Sequence, residues 1–152
     1  MNQQNSYKRR HHHNRGFTLL EMVATIGIIA ILASIILPRY NQFTVQARIS
    51  KTKMNLVTLK TGFANYYYQM LLEGDVAGFP ATPPDSQLTT EWSENTILDN
   101  GHRPVDLFSE DKILYNPNNK PYLYYTLPPD SMNTPGFAIK DPDYNFEVKF
   151  RP

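Results

Sequence analysis

The chain has 152 residues, with 12 prolines, 7 glycines and no cysteine; 41% of its residues are hydrophobic and 19% charged. That is material for one modest domain, and it excludes collagen-like, mucin-like and coiled-coil-only chains, a disulfide framework, a thiolate nucleophile and any cysteine-built zinc or iron–sulfur site. The formal net charge of +1 hides a separation along the chain: residues 1–16 carry +4, residues 17–72 carry +4, and residues 73–152 hold 13 acidic against 6 basic side chains. Eleven of the twelve prolines lie beyond residue 79. This distribution predicts a long N-terminal helix joined to a small acidic head, with the boundary near Glu73–Gly74.

Residues 1–16 form a basic leader, and the histidines at 11–13 within it are read as part of a solvated cationic stretch rather than as metal ligands. From Phe17 to Leu37 the run FTLLEMVATIGIIAILASIIL is apolar apart from Glu21 and a few Thr and Ser. As a helix it would span about 32 Å, enough to cross a bilayer core. The preceding KRRHHHNR would stay in the cytoplasm and everything after Pro38 would face the other side. No small-residue cleavage pattern follows the apolar run, so the segment is expected to be retained.

Glu21 is the anomaly in this run. A carboxylate in hydrocarbon costs roughly 2.5–3.5 kcal/mol on insertion scales and calls for a partner. If the chain were cut between Gly16 and Phe17, a new ammonium would stand four residues before Glu21. Within one chain the carboxylate would sit at a helix N-terminus, where the dipole favours it. Between chains it would neutralise a neighbour's ammonium and set the axial register of a stack.

The run RGFTLLEMVATIGIIAILASIILPRY, residues 15–40, resembles the N-terminus of type IV pilins and type II secretion pseudopilins. The resemblance implies that a prepilin peptidase cuts after Gly16 and N-methylates Phe17. It implies that Glu21 guides assembly by pairing with a neighbour's amino terminus, with Thr18 and Pro38 as further assembly positions. Pro38 and Gly27 would mark helix able to loosen in a filament, which the loss of one backbone donor at proline makes physically reasonable.

After Pro38, Val45, Ile49, Thr52, Leu56, Leu59, Phe63, Tyr66 and Met70 recur at spacings of three and four, predicting an amphipathic helix over 39–72 with that row buried. Tyr66, Tyr67 and Tyr68 are read as core aromatics rather than as a functional array. Arg48, Lys51, Lys53 and Lys60 lie off the row and would face solvent or a neighbouring subunit, where the acidic head of another chain would complement them.

Residues 73–152 form the expected head. Its first part reads as loops with one short helix near Leu107–Leu114, and three runs, Tyr122–Leu127, Gly136–Lys140 and Phe146–Phe150, predict an antiparallel meander. The fold class is therefore α+β, a long helix packed on a small sheet, as the resemblance also implies. His102 is the only histidine outside the leader and has no nucleophile motif beside it, so an enzyme is not expected. Asp141 and Asp143, with Glu147 or Asp130, are the candidate calcium ligands, because major pseudopilins bind calcium in this part of the chain; carboxylates and glycines are sparse here, and turn chemistry is the alternative. No other cofactor is expected.

The resulting reading is a filament subunit made as a single-pass precursor in the cytoplasmic membrane, its head extracytoplasmic, then built into a helical homopolymer with residues 17–38 at the core. Expected partners are membrane lipid, a prepilin peptidase, an assembly platform and minor pilins. The filament would be a secretion pseudopilus or a surface pilus; the small head and absent cysteine pair resemble the pseudopilin side. The rivals are a membrane-anchored binding module and a DNA-uptake pilin, and the −7 head argues against nucleic acid as a partner.

Overall fold

The computed structural model describes residues 16–74, 78–108 and 112–152. The expected leader lies outside the described residues except for Gly16. Two compact units divide the chain, one ending at Gln42 and the other formed by Phe43–Pro152. Each contains part of one helix, α1 (Leu19–Glu73).

In the first unit the backbone is satisfied locally. Thr25 Oγ1 donates to the carbonyls of Glu21 and Met22, and Ser34 Oγ donates to Ile31 O at 2.7 Å, so the polar side chains of the apolar run bond back onto their own helix. Pro38 lies inside α1, where its missing N–H leaves the Ser34 carbonyl without the usual helical donor.

The second unit is α+β. Strands β1 (Leu123–Leu127), β2 (Gly136–Lys140) and β3 (Glu147–Phe150) form an antiparallel sheet in the order β1-β2-β3. Leu123 pairs with Lys140, and Phe137 with Phe150. The meander is as the sequence predicts. In β3, Val148 and Phe150 turn inward while Glu147 and Lys149 remain exposed, the alternation of a sheet with one wet face. Phe63 of α1 is the aromatic hub: its ring lies 4.9 Å from Tyr124, 5.7 Å from Phe137 and 5.9 Å from Phe108. Such pairs add to the area that the rings bury.

Several expectations need correction. The predicted row is buried from Thr52 to Met70, but Ile49 is only half-buried and Val45 is 52% exposed, because the head covers the helix from about Arg48 onward. Asn55 and Gly62 are buried beside the row. Tyr66 and Tyr67 are core residues, whereas Tyr68 is 48% exposed and makes edge contacts with Tyr67 and Phe150. Of the short helix expected near Leu107–Leu114, residues 109–111 lie outside the described residues, and the described ones on either side are not α-helical. A 3-10 turn spans Pro104–Leu107, and residues 112–114 are irregular. Pro104 fixes the start, and the Asp106 carboxylate accepts from the Arg103 backbone N–H at 2.8 Å and from its guanidinium at 2.9 Å. A second helix, α2 (Thr90–Asn95), arises where loop was expected, its N-cap hydroxyl on Thr89 accepting from Trp92 N.

The loops also close the sheet. Tyr124 N donates to Ser86 O and Leu88 N to Tyr122 O, so residues 86–88 occupy the outer edge of β1; an edge left bare would invite pairing with another chain. At the other end Arg151 donates to Thr134 O and Pro128 O and pairs with Asp130, fastening the C-terminus to the β1–β2 loop.

Gly62 is required by contact. A Cβ there would lie 2.5 Å from Cε1 of the buried Phe108 ring. Gly62→Ala gains up to about 1 kcal/mol in helix propensity but overpacks the core by about 1–3 kcal/mol. We expect net destabilisation, read as a lower urea midpoint for the full chain in detergent. An unchanged or higher midpoint would mean that the Phe108 ring swings clear.

Candidate assembly site

The first unit leaves its apolar surface bare. Thirteen large apolar side chains between Phe17 and Leu37 are exposed, Phe17 at 80% and Leu19 at 83%. In its most apolar window the helix is long and hydrophobic enough to cross a membrane, and none of that window is buried. Covering one such side chain is worth about 1.5–3 kcal/mol. Thirteen together outweigh by several-fold the roughly 2.5–3.5 kcal/mol cost of carrying one carboxylate into hydrocarbon. Coverage by lipid or by other chains is therefore strongly favoured, Glu21 notwithstanding.

Glu21 is anchored at the start of this surface. Its Oε2 accepts from Thr18 N at 2.9 Å and from Thr18 Oγ1 at 3.0 Å, while Thr18 Oγ1 accepts from Glu21 N at 3.2 Å. This reciprocal capping box satisfies two donors of the helix N-terminus and fixes the carboxylate where α1 begins. Its sequence signal is the Thr-x-x-Glu pattern at 18–21. Gly16 and Phe17 precede the helix and are exposed.

Three of the four basic side chains on the second half of α1 have partners within their own unit. Lys53 Nζ lies 5.1 Å from the centre of the Phe146 ring and Lys60 Nζ 5.9 Å from that of Phe150, both in cation–π range. Arg48 donates to Asn118 Oδ1 at 3.3 Å. Lys51 is exposed, and it is the position where charge complementarity with another chain is separable from the fold.

The candidate calcium ligands are engaged by protein donors. Asp143 Oδ2 accepts from Asn116 Nδ2 and Asn118 Nδ2, both at 2.8 Å, and its Oδ1 accepts from the Lys120 ammonium. Asp141 Oδ1 accepts from the backbone N–H groups of Asp143 and Tyr144, making the turn between β2 and β3. Glu147 pairs with Lys149, and Asp130 caps its own loop through Met132 N and Thr134 N. The four carboxylates thus serve separate local structures, and among the described residues no three His, Cys, Asp or Glu side chains converge. His102 is exposed at the rim of a shallow groove with Asn65, Gln69 and Asp106.

A bare apolar helix with a capped carboxylate at its start, in a chain that also carries a small α+β unit, is the class of protein these features define. A family model described as the prokaryotic N-terminal methylation motif matches residues 11–37. A fimbrial protein of Pseudomonas aeruginosa is 31% identical over 126 residues, which is 83% of this chain and 73% of that one. The type IV major pilin protein PilE1 of Neisseria gonorrhoeae is 29% identical over 89 residues, 57% of this chain and 49% of its own length. PilA of Myxococcus xanthus, also a type IV major pilin protein, is 39% identical over 54 residues, 36% and 24% of the two chains. No solved structure matches significantly. The chain belongs to the type IV pilin family.

The Lys120, Asn118 and Asn116 donors hold the Asp143 carboxyl down to about 2. Because the folded value lies below the unfolded one, the stabilisation is present in full above about pH 4 and is lost as pH falls toward 2. Wild type should therefore be more stable than Asp143→Asn at pH 6, and the gap should close between pH 4 and pH 2, read as the difference in urea midpoints. A gap independent of pH would show that Asp143 does not hold these partners as an anion.

Proposed function

We propose that the chain is a structural, non-enzymatic subunit of a type IV pilus. It is made as a precursor anchored once in the cytoplasmic membrane, with the Phe43–Pro152 unit outside, cut after Gly16 and N-methylated at Phe17. Side-by-side burial of residues 17–37 then drives a helical homopolymer. The observation that carries this reading is the apolar surface from Phe17 to Leu37, left uncovered by its own chain. In the membrane lipid covers it; in the filament identical segments do.

Glu21 supplies the register. Both Thr18 bonds land on Oε2, so Oε1 is open to the ammonium of a neighbouring Phe17, and a dry interface strengthens that attraction. The peptidase, the assembly platform and minor pilins belong to the same proposal. Relatives named as type IV major pilins and a fimbrial protein favour a surface pilus. The absence of cysteine favours the second reading, a secretion pseudopilus.

Intact mass of the chain purified from a cell with a prepilin peptidase should show loss of residues 1–16 and gain of one methyl group; an uncut N-terminus would support a membrane-anchored binding module instead. Glu21→Ala should be processed at the same site yet give at least about tenfold fewer filaments, and undiminished filament yield would remove the register role. Lys51→Glu should lower filament yield while leaving the urea midpoint unchanged. Normal filaments from that variant would make Lys51 a solvated side chain only.

A further inference from the structure

Between α2 and the 3-10 turn the chain reverses through residues 98–102. Gly101 N donates to Leu98 O at 2.8 Å, Leu98 N donates to His102 O at 2.7 Å, and Gly101 takes φ +79°. That conformation favours glycine, which has no Cβ to clash. The turn therefore places after Asn100 the one residue type that leaves its backbone nitrogen unshielded by a side chain. Of the chain's thirteen asparagines, only Asn100 precedes a glycine. Asp99, Gly101 and His102 are exposed, so the bond from Gly101 N to Leu98 O lies in a surface turn that opens without disturbing the core.

The two ends of the Asn100 amide are held unequally. Oδ1 accepts from His102 N at 3.1 Å, whereas Nδ2 is buried and has no hydrogen-bond partner. A buried donor without an acceptor is destabilising. Native contacts thus fix the carbonyl end of this amide and do nothing to retain its nitrogen.

We propose that Asn100 is a modification site at which the folded chain deamidates itself, with water as the co-reactant. Gly101 N attacks Asn100 Cγ: the N–Cγ bond forms, the Cγ–Nδ2 bond breaks, and Nδ2 leaves as ammonia with the proton shed by Gly101 N. The product is a five-membered succinimide. Water then opens the ring, its hydroxyl adding to one of the two imide carbonyls and its hydrogen returning to the nitrogen. Opening at Cγ leaves isoaspartate's counterpart, ordinary aspartate, only when the nitrogen stays on the main-chain carbonyl; opening at the main-chain carbonyl leaves isoaspartate, with an extra carbon in the backbone. In the aspartate product the carboxylate retains the His102 N contact, now charge-assisted, and the Phe43–Pro152 unit gains one negative charge. The isoaspartate product lengthens the segment that the Leu98–His102 bond closes. His102 lines the shallow groove with Asn65, Gln69 and Asp106, so that product reshapes one wall of the groove.

The test incubates the full chain in detergent at pH 8 and 37 °C and follows its peptides by mass spectrometry with fragmentation. Residue 100 should gain the mass of an amide turned to an acid at least about tenfold faster than the exposed Asn65, Asn119, Asn133 and Asn145, with aspartate and isoaspartate both present. Gly101→Ala, whose methyl group crowds the attacking nitrogen, should slow the conversion at least about tenfold. Should that variant fail to fold, wild type in native buffer and in urea decides: conversion in both supports the proposal. Conversion in urea alone, an Asn100 that outlasts the other four, or an unchanged rate in folded Gly101→Ala would overturn it.

Discussion

The constraint on which everything else turns is an apolar surface that its own chain leaves uncovered. From Phe17 to Leu37 almost every side chain is hydrocarbon and exposed. Water penalises such a surface in proportion to its area, and lipid admits a single segment only if its backbone is satisfied internally. A helix meets that demand, and Thr25 and Ser34 meet it for their own hydroxyls by bonding back to the preceding turn. The sequence in this segment is therefore shaped by what lies outside the molecule rather than by its own core.

Glu21 has to be understood against that background. A carboxylate among thirteen bare apolar side chains costs far less than the apolar surface gains on being covered, so it is tolerated and remains free to specify geometry. Thr18 gives it a fixed place by capping the helix, which removes the entropy that a swinging side chain would lose on pairing. The Phe43–Pro152 unit follows a different logic. Its aromatic core around Phe63 is conventional, and polar networks at Asp143, Asp130 and Asp106 hold its proline-rich loops where regular structure is scarce.

Legibility in the sequence followed the range of the forces involved. Local periodicity carried the long helix and its row from Leu56 to Met70, and alternation with turn residues carried all three strands. The apolar run and its misplaced acid were plain for the same reason: they depend on composition within a few residues. Val45 and Tyr68 were misplaced because periodicity says which face is apolar, not how far the head reaches along it or around it. At Leu107, where a helix was expected to start, Pro104 and the Asp106–Arg103 pair close a 3-10 turn instead. The Thr18 and Thr89 caps are equally local, each hydroxyl meeting a backbone N–H three residues on. The Asn116–Asn118–Lys120–Asp143 network and the pairing of residues 86–88 with β1 join segments more than twenty residues apart, and one sequence contains no record of such meetings.

The most direct measurement is a cryo-electron-microscopic reconstruction of the filament at side-chain resolution. The account predicts that residues 17–37 of many subunits pack at its centre, with each Glu21 carboxylate within about 4 Å of a neighbour's Phe17 nitrogen, the range of a close ion pair. Segments facing solvent, or a Glu21 bonded only to its own Thr18 with the neighbouring amino terminus elsewhere, would contradict it.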